Sequence, residues 1–325
     1  MTRPLRVGVI GVGALGRHHA RHLAQLDGAR LVAVTDIDEG RARSVAEELG
    51  TQSCGLDALL AKVDAVTVAV PTPAHAEVGL CALERGIPVL MEKPLAATLE
   101  EADQLIGAAA AKGVQLQVGH IERYNRAIRA AEPYLDGPRY IESLRLAPFQ
   151  PRGTDVAVVL DLMIHDLDLV LHLTGGAEAT EVRASGISVL SSHLDLANAR
   201  VEFANGAVAL ATASRVSRER VRRLRLFQPN GYFSLDLATG GGDFMQLRGD
   251  WRPGTGSQLS DVVERVVLEA PEADALALEL QSFVHAVRGD REVVVGGVEG
   301  RAALALALRV ADVVKSTPLA APAAG

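Results

Sequence analysis

The feature that most constrains the fold of this chain is a glycine-rich turn directly after its first hydrophobic run. The sequence GVGALG at residues 11–16 lies between a predicted strand over Arg6–Ile10 and a predicted helix over about Leu15–Leu26. In that context the glycines permit a tight turn, let a pyrophosphate approach the backbone, and let helix and strand pack closely. The helix N-terminus offers N–H groups and a positive dipole end. The turn predicts a dinucleotide site; a phosphate site for another nucleotide or a flavin remains the alternative.

The residues around this turn alternate strand-like and helix-like segments as far as about residue 118. Four further strands are predicted, over Leu31–Thr35, Ala65–Val70, Val89–Met91 and Gln115–Val118. Three further helices are predicted between them, over Glu39–Leu49, Ala74–Arg85 and Leu99–Lys112. Such alternation is typical of a parallel sheet covered by helices on both faces, so we predict a doubly wound α/β domain over residues 1–119.

From residue 120 the pattern becomes that of an α+β domain. Strands are predicted over 140–147, 181–189, 194–203, 207–214, 220–227 and 232–236, the last five spaced as adjacent antiparallel strands with turn signals at 204–206 and 229–231. Helices are predicted over 125–134, 158–173, 274–288 and 299–315. We expect a second domain over 120–316 and a frayed tail over 317–325, which has little to bury.

Composition narrows the function classes. Hydrophobic residues make up 48% of the 325 positions, yet no uninterrupted apolar run approaches the roughly 20 residues of a membrane helix. The two cysteines form no disulfide framework and no secretory cleavage pattern follows the first strand, so we expect a cytoplasmic protein. A net charge of −7 argues against nucleic acid as the principal partner.

A carboxylate at the end of the second predicted strand bears on which dinucleotide is bound. Asp36 lies 20 residues past Gly16, where its carboxylate would accept hydrogen bonds from both hydroxyl groups of an adenosine ribose. Ile37, not an arginine, follows it. Because a carboxylate here repels a 2′-phosphate, the sequence predicts NAD in preference to NADP.

A lysine ends another strand of the predicted parallel sheet. Glu92-Lys93-Pro94 lies at the carboxyl edge, where open α/β sheets bind their ligands, and Pro94 prevents the strand from continuing. Lys93 could hydrogen-bond a substrate hydroxyl and stabilise the alkoxide as hydride leaves. The alternative is a solvent-facing lysine paired with Glu92.

The very apolar helix predicted over 158–173 carries a narrow ionisable stripe. Its members recur at i, i+4, i+7 and i+11, at Asp161, His165, Asp168 and His172. Buried polar groups need partners or a purpose, so we expect the stripe to face a cleft, with His165 as general base and Asp161 orienting it. The alternatives are the wet face of an amphipathic helix, or a metal site at Asp161, His165 and Asp168. Nothing in the sequence requires a metal, and we expect none.

Five motifs together resemble one family. They are GVGALG at 11–16, VPTPAH at 70–75, EKP at 92–94, VGHIERYN at 118–125 and DLMIHDLD at 161–168. They resemble the Gfo/Idh/MocA family of glucose-fructose oxidoreductases and inositol dehydrogenases. The resemblance implies an N-terminal Rossmann domain and a C-terminal α+β domain on an open, largely antiparallel sheet, which commonly forms a homodimer or homotetramer interface. Arg152–Val156 and Arg126 depart from the family pattern and put the substrate in doubt.

The resemblance also implies residue roles. Catalytic roles fall to Lys93, Asp161 and His165. Residues expected to line the cofactor are Gly11, Gly13, Ala14, Leu15, Gly16, Asp36, Ile37, Pro71, Thr72, His75, Glu92 and Lys93. Residues expected near the substrate are Arg123, Tyr124, Asn125, Arg145, Arg152, Asp161 and His165.

The segments over 146–173 and 214–236 resemble the subgroup of UDP-N-acetylglucosamine 3-dehydrogenases. That resemblance implies oxidation of a sugar-nucleotide 3-hydroxyl to a ketone, on the route to the 3-amino sugar of lipid A. Arg145, Arg152 and Arg215 are then candidate ligands of the diphosphate. A free polyol such as myo-inositol is an alternative substrate, and a non-catalytic NAD sensor is the alternative class.

Six arginines also crowd residues 215–225, which would suit a nucleic-acid surface. Their alternation with apolar residues in a strand pattern, without stacking aromatics, favours a solvated or intersubunit strand face. The alternative is that one or two of these arginines reach a substrate phosphate.

Overall fold

The computed structural model describes residues 3–150, 156–249 and 258–316. The chain divides into two compact units. One comprises the chain as far as Ile121 together with Ala273–Leu304, and the other comprises Glu122–Glu272 and the residues from Ala305 onward.

The first unit is built on a parallel sheet. Its strands are β1 (Leu5–Ile10), β2 (Ala29–Thr35), β3 (Gln52–Ser53), β4 (Ala65–Val68), β5 (Val89–Glu92) and β6 (Leu116–Gly119). The intervening helices are α1 (Ala14–Gln25), α2 (Glu39–Leu49), α3 (Leu56–Leu60), α4 (His75–Leu83) and α5 (Leu99–Lys112). The strand order is β3-β2-β1-β4-β5-β6, with every pair parallel. The predicted doubly wound fold is therefore confirmed, and its strand order reverses between β1 and β4, where such sheets bind their ligands.

A helix from the C-terminal part of the chain completes this unit. Helix α9 (Ala275–Arg288) places Leu276, Leu280 and Phe283 in the same hydrophobic core as Val7, Leu23 and their neighbours. The sequence boundary at residue 119 put this helix in the second domain, whereas it packs with the first unit. The spacing of hydrophobic residues along the sequence predicts an amphipathic helix, but it does not indicate which sheet the apolar face of that helix covers.

The second unit is built on an eight-stranded mixed sheet. Its strands are β7 (Tyr140–Leu146), β8 (Ala179–Ile187), β9 (Leu196–Phe203), β10 (Val208–Ser214), β11 (Val221–Gln228), β12 (Gly231–Asp236), β13 (Gly241–Leu247) and β14 (Val263–Leu268). The order is β14-β13-β12-β11-β7-β10-β9-β8, and only the β7–β10 pair among these strands is parallel. The predicted open, largely antiparallel sheet is confirmed, but the prediction that 207–214 and 220–227 form adjacent strands is wrong, because β7 lies between β10 and β11.

One face of this sheet is buried and the other is partly exposed. Along β7, β9 and β11 the residues alternate between buried and partly exposed. Phe233 and Phe244 stack on the buried face with ring centroids 4.3 Å apart. Helices α6 (Arg126–Ala131) and α7 (Ile164–Leu173) contact strands of this sheet, and α8 (Leu259–Val262) and α10 (Gly297–Ser316) complete the helices described. In the described part of the chain, no helix combines the length and hydropathy needed to cross a membrane.

The helix predicted over 158–173 consists of two parts. Val159–Met163 forms a π-helical turn, and α7 follows it as regular α-helix. Periodicity counting assumes 3.6 residues per turn throughout, so it misses a wider turn inside an apolar helix. Such turns occur frequently at functional sites, and this one contains Asp161.

Candidate active site

The glycine-rich turn has the geometry that a pyrophosphate site requires. Gly11 has a φ of +82°, and a Cβ there would lie 2.8 Å from the carbonyl oxygen of Ala69. A Cβ on Gly16 would lie 1.8 Å from the carbonyl oxygen of Gly11, so this position accepts only glycine. A Cβ on Gly13, which precedes α1, would have no described atom within 4 Å, so the backbone is open to a ligand there. These residues fit a dinucleotide at the N-terminus of α1.

Asp36 is held in place at the end of β2. Its side chain is 5% exposed, and its Oδ2 accepts a hydrogen bond from the Val12 backbone N–H at 2.8 Å. Its Oδ1 accepts from the Asp38 N–H at 2.9 Å and lies 3.3 Å from Nη1 of Arg41. Sequence reasoning missed Arg41, although its place in the first turn of the following helix, five residues after Asp36, was visible. Ile37 beside them is fully exposed.

The segment with Lys93 is not a solvent-facing ion pair. Glu92 is only 7% exposed and Lys93 is half-buried. Glu92 Oε1 lies 2.8 Å from Nε2 of His19, and its Oε2 accepts from the Lys93 backbone N–H at 3.2 Å. Burial raises the pKa of the Glu92 carboxyl, but the hydrogen bond from His19 and the charges of His19 and Lys93 outweigh it, so the pKa lies below its usual value. The carboxylate is therefore ionised beside the lysine.

His75 has a buried, supporting position. Its Nδ1 lies 2.8 Å from the carbonyl oxygen of Pro94 and its Nε2 lies 3.0 Å from that of Val70. Burial lowers its pKa, although both carbonyl oxygens act in the opposite direction. His75 therefore joins the segment after β4 to the segment after Lys93, whereas its predicted neighbours Pro71 and Thr72 are more exposed.

The ionisable stripe of the predicted helix separates into parts. Asp161 and His165 are partly exposed. Asp168 is instead buried, with its carboxylate oxygens 2.6 Å from Nε and 2.9 Å from Nη2 of Arg123. His172 is exposed and lines a cavity of about 390 Å³ together with residues around Arg139 and Gly175. The prediction that all four residues face one cleft is wrong, because Asp168 is buried against Arg123 and His172 lines a separate cavity.

The segment expected near the substrate is occupied by a buried charge network. Arg145 donates to both carboxylate oxygens of Asp166, at 2.7 and 3.0 Å, and to Glu122 Oε1 at 2.9 Å. Burial lowers the pKa of Arg145, but the charges of Asp166 and Glu122 raise it well above its usual value. Arg145 is 3% exposed and Arg123 is 8% exposed, so both guanidinium groups are held by carboxylates inside the fold.

Tyr124 and Asn125 follow the same pattern. Tyr124 is buried, and Asn125 Oδ1 caps α6 by accepting from the Ala127 N–H at 3.0 Å. The Asn125 amide donates to Glu122 Oε2 at 2.9 Å and to the Leu237 carbonyl at 2.8 Å. A sequence motif shows that these residues are polar and adjacent, but not that Tyr124 is buried or that the Asn125 amide already has partners within the protein.

Arg215, the second predicted phosphate ligand, is also internal. Its Nε lies 3.0 Å from Oδ1 of Asp195, which is fully buried and also accepts backbone N–H groups from Val189, Leu190 and Ser191. Its Nη2 donates to the carbonyl of Leu194 at 2.7 Å. Arg215 thus fixes the loop after β8. The third candidate, Arg152, lies outside the described residues.

Sequence reasoning did not single out Arg222 within the arginine-rich segment. Arg222 on β11 lies opposite Arg145 on the neighbouring strand β7. Its Nη1 lies 3.7 Å from Glu122 Oε1, the oxygen that also accepts a hydrogen bond from Arg145. Its side chain is 42% exposed. Burial and the charge of Arg145 lower the pKa of Arg222, because they oppose a further cation there. An incoming anion would relieve that opposition.

Comparison with known proteins gives consistent matches along the chain. Residues 5–120 match the model of an oxidoreductase family with an NAD-binding Rossmann fold, and residues 145–234 match the Gfo/Idh/MocA C-terminal domain. The UDP-N-acetylglucosamine 3-dehydrogenase of Acidithiobacillus ferrooxidans is 42% identical over 94% of this chain and 96% of its own. A solved structure of that enzyme matches with a TM-score of 0.90, covering 97% of this chain and 99% of the other. The NAD-dependent scyllo-inositol 2-dehydrogenase of Bacillus subtilis is 32% identical over 67% of this chain and 69% of its own.

The strand order, the glycine turn and these matches agree with the resemblance found in the sequence. They establish NAD as the cofactor and dehydrogenation as the class of reaction. This chain belongs to the Gfo/Idh/MocA family of NAD-dependent oxidoreductases.

Proposed function

We propose that this protein oxidises the 3-hydroxyl of UDP-N-acetylglucosamine to a ketone. The observation that carries the proposal is the extent of similarity to the Acidithiobacillus enzyme, which covers both units at 42% identity. The inositol dehydrogenases match over smaller parts of the chain, such as 50% for inositol 2-dehydrogenase 3 of Saccharopolyspora erythraea. The substrate is recognised largely outside the shared cofactor fold, so similarity along the second unit bears most on substrate class.

The proposed chemistry divides between three side chains. His165 takes the proton of the sugar hydroxyl, and Asp161, one turn earlier, orients its imidazole. Lys93 stabilises the negative charge that develops on the substrate oxygen. NAD, when bound, supplies the hydride acceptor, and the residues that would hold it are the turn at 11–16, Asp36 and Ile37.

The diphosphate of a sugar nucleotide needs a cationic partner. Arg145 and Arg215 are committed to buried carboxylates, so we assign this role to Arg222. Arg222 remains partly exposed, and it lies farther from Glu122 than Arg145 does. Arg145, its neighbour on β7, contacts Asp166, the residue after His165. An arginine offers the planar fork of donors that suits phosphate oxygens.

We further propose a cytoplasmic homo-oligomer formed through the open face of the second unit's sheet. The aromatic rings of Tyr140, Phe227 and Tyr232 adjoin one another there, with centroids 5.9 and 5.4 Å apart. Arg225 stacks over Phe227 and pairs with Glu142 at 2.8 Å. A half-buried aromatic centre bordered by ion pairs is typical of a protein interface.

The product of the proposed reaction is a 3-keto sugar nucleotide. It would serve as the substrate of an aminotransferase on the route to lipid A.

The test incubates the purified protein with NAD and UDP-N-acetylglucosamine and measures the rate of NADH formation from its absorbance. We expect reduction of NAD with the sugar nucleotide and much slower reduction with myo-inositol. Preference for myo-inositol would overturn the substrate assignment. NAD binding without turnover on any sugar would favour the sensor alternative.

A further inference from the structure

The buried histidine of α1 has no part in the function described so far. His19 is fully buried, and its Nε2 lies 2.8 Å from Glu92 Oε1. Its Nδ1 is also buried and has no hydrogen-bond partner among the described residues. Because the ionised Glu92 carboxylate can only accept a hydrogen bond, Nε2 is the nitrogen that donates to it. Burying a nitrogen without a partner costs stability, and an apolar side chain would avoid that cost.

The carboxylate that His19 holds is itself fixed against Lys93. Glu92 Oε2 accepts from the Lys93 backbone N–H at 3.2 Å. Gly119, at the end of β6, makes room for this carboxylate, because a Cβ there would lie 3.1 Å from the Glu92 carboxyl carbon. The histidine of α1 and the glycine of β6 therefore both contact the carboxylate of Glu92, the residue before Lys93 on β5.

We propose that His19 is a positioning residue for the dehydrogenase reaction, which holds the Glu92 carboxylate and through it orients Lys93. This inference rests on the proposed role of Lys93 in oxidation. The Nε2–H group of His19 is the part that matters. An apolar residue of similar size would fill the space under β5 but would leave one carboxylate oxygen without its donor, so Glu92 and then Lys93 would shift.

Kinetics separate positioning from simple packing. We expect His19→Leu to lower kcat by about tenfold or more, the loss of one charge-assisted hydrogen bond, with the KM for NAD changed less than threefold. His19→Gln, whose amide also donates, should recover most of the lost kcat. His18→Leu, at the exposed neighbouring position, is the matched control and should leave kcat unchanged.

A double variant tests whether the effect passes through Lys93. In a Lys93→Ala background, His19→Leu should cause little further loss, because the group it positions is absent. Equal loss of kcat on both backgrounds, or equal loss in His19→Leu and His19→Gln, would overturn the inference and leave a packing role.

A spectroscopic experiment keeps the inference testable without turnover. The chain has four lysines, Lys62, Lys93, Lys112 and Lys315, so reductive methylation with ¹³C gives few NMR signals, and Lys93→Arg assigns the relevant one. We expect His19→Leu and Glu92→Gln to move the Lys93 signal and to leave the other three in place. An unmoved Lys93 signal would refute the positioning role. Absence of turnover in the wild type would instead refute the proposed function.

Discussion

Replacing Asp36 by asparagine should shift the cofactor preference from NAD towards NADP. Asparagine keeps an oxygen that can accept from the Val12 N–H, now at 2.8 Å from Oδ2, but removes the charge. Two unit charges 4 Å apart at an effective dielectric of 20 repel by about 4 kcal/mol, and partial exposure of the ribose end reduces this to about 2 kcal/mol. Arg41, 3.3 Å from Oδ1 in the wild type, is released to meet a 2′-phosphate and adds up to about 1 kcal/mol.

For NAD the change acts in the opposite direction. Loss of the charge weakens the hydrogen bonds to the ribose hydroxyls by about 1–2 kcal/mol. The contributions total about 3–5 kcal/mol, so the ratio of kcat/KM for NADP over NAD should rise by about 10²–10⁴.

Initial rates of the Asp36→Asn enzyme with each cofactor, at fixed sugar nucleotide, measure this ratio. The double variant Asp36→Asn with Arg41→Ala is the control. Its kcat/KM for NAD should fall as in the single variant, but its kcat/KM for NADP should rise less, because Arg41 is no longer there to meet the 2′-phosphate. If Asp36→Asn left the ratio within threefold of the wild type, Asp36 would not contact the ribose and the placement of the adenosine end would be wrong.

Three further outcomes follow from the geometry. Gly16→Ala should abolish NAD binding measured by calorimetry, because its Cβ would lie 1.8 Å from the Gly11 carbonyl oxygen; normal affinity would contradict the turn geometry. Arg145→Leu should lower the free energy of unfolding by about 3–5 kcal/mol in denaturant titrations, since it leaves Asp166 and Glu122 buried without their cation. A change below 1 kcal/mol would remove the structural role. Arg222→Gln should raise the KM for UDP-N-acetylglucosamine about tenfold with kcat retained, whereas Arg223→Gln should not; equal effects would refute the phosphate assignment.

Local signals in the sequence were enough to predict the parallel sheet. Each strand of that sheet except β3 follows from a β-branched run, and the turn at 11–16 fixes where the chain reverses. Strand β3 has only two residues, and β13 begins with Gly241 and Gly242, so neither carries a strand-like pattern. The packing of α9 also escaped prediction, because its apolar face is compatible with either unit.

The candidate site was predictable in residue type but not in partnership. Lys93 and His165 follow from their motifs and neighbours, and the structure keeps both partly exposed. Arg145 and Arg215 looked equally suited to phosphate, because a sequence gives their charge and not the carboxylates that neutralise it. The partners Asp166 and Asp195 are 21 and 20 positions away, and only the fold brings each pair within hydrogen-bonding distance.

The most direct test of the proposed reaction follows one hydrogen atom. UDP-N-acetylglucosamine carrying deuterium only at C3 is incubated with the enzyme and NAD, and the reduced cofactor is examined by NMR. We predict that deuterium appears at C4 of the nicotinamide and that a 3-keto sugar nucleotide accumulates with it. Reduced cofactor formed without deuterium would show that another carbon is oxidised and would contradict the proposed reaction.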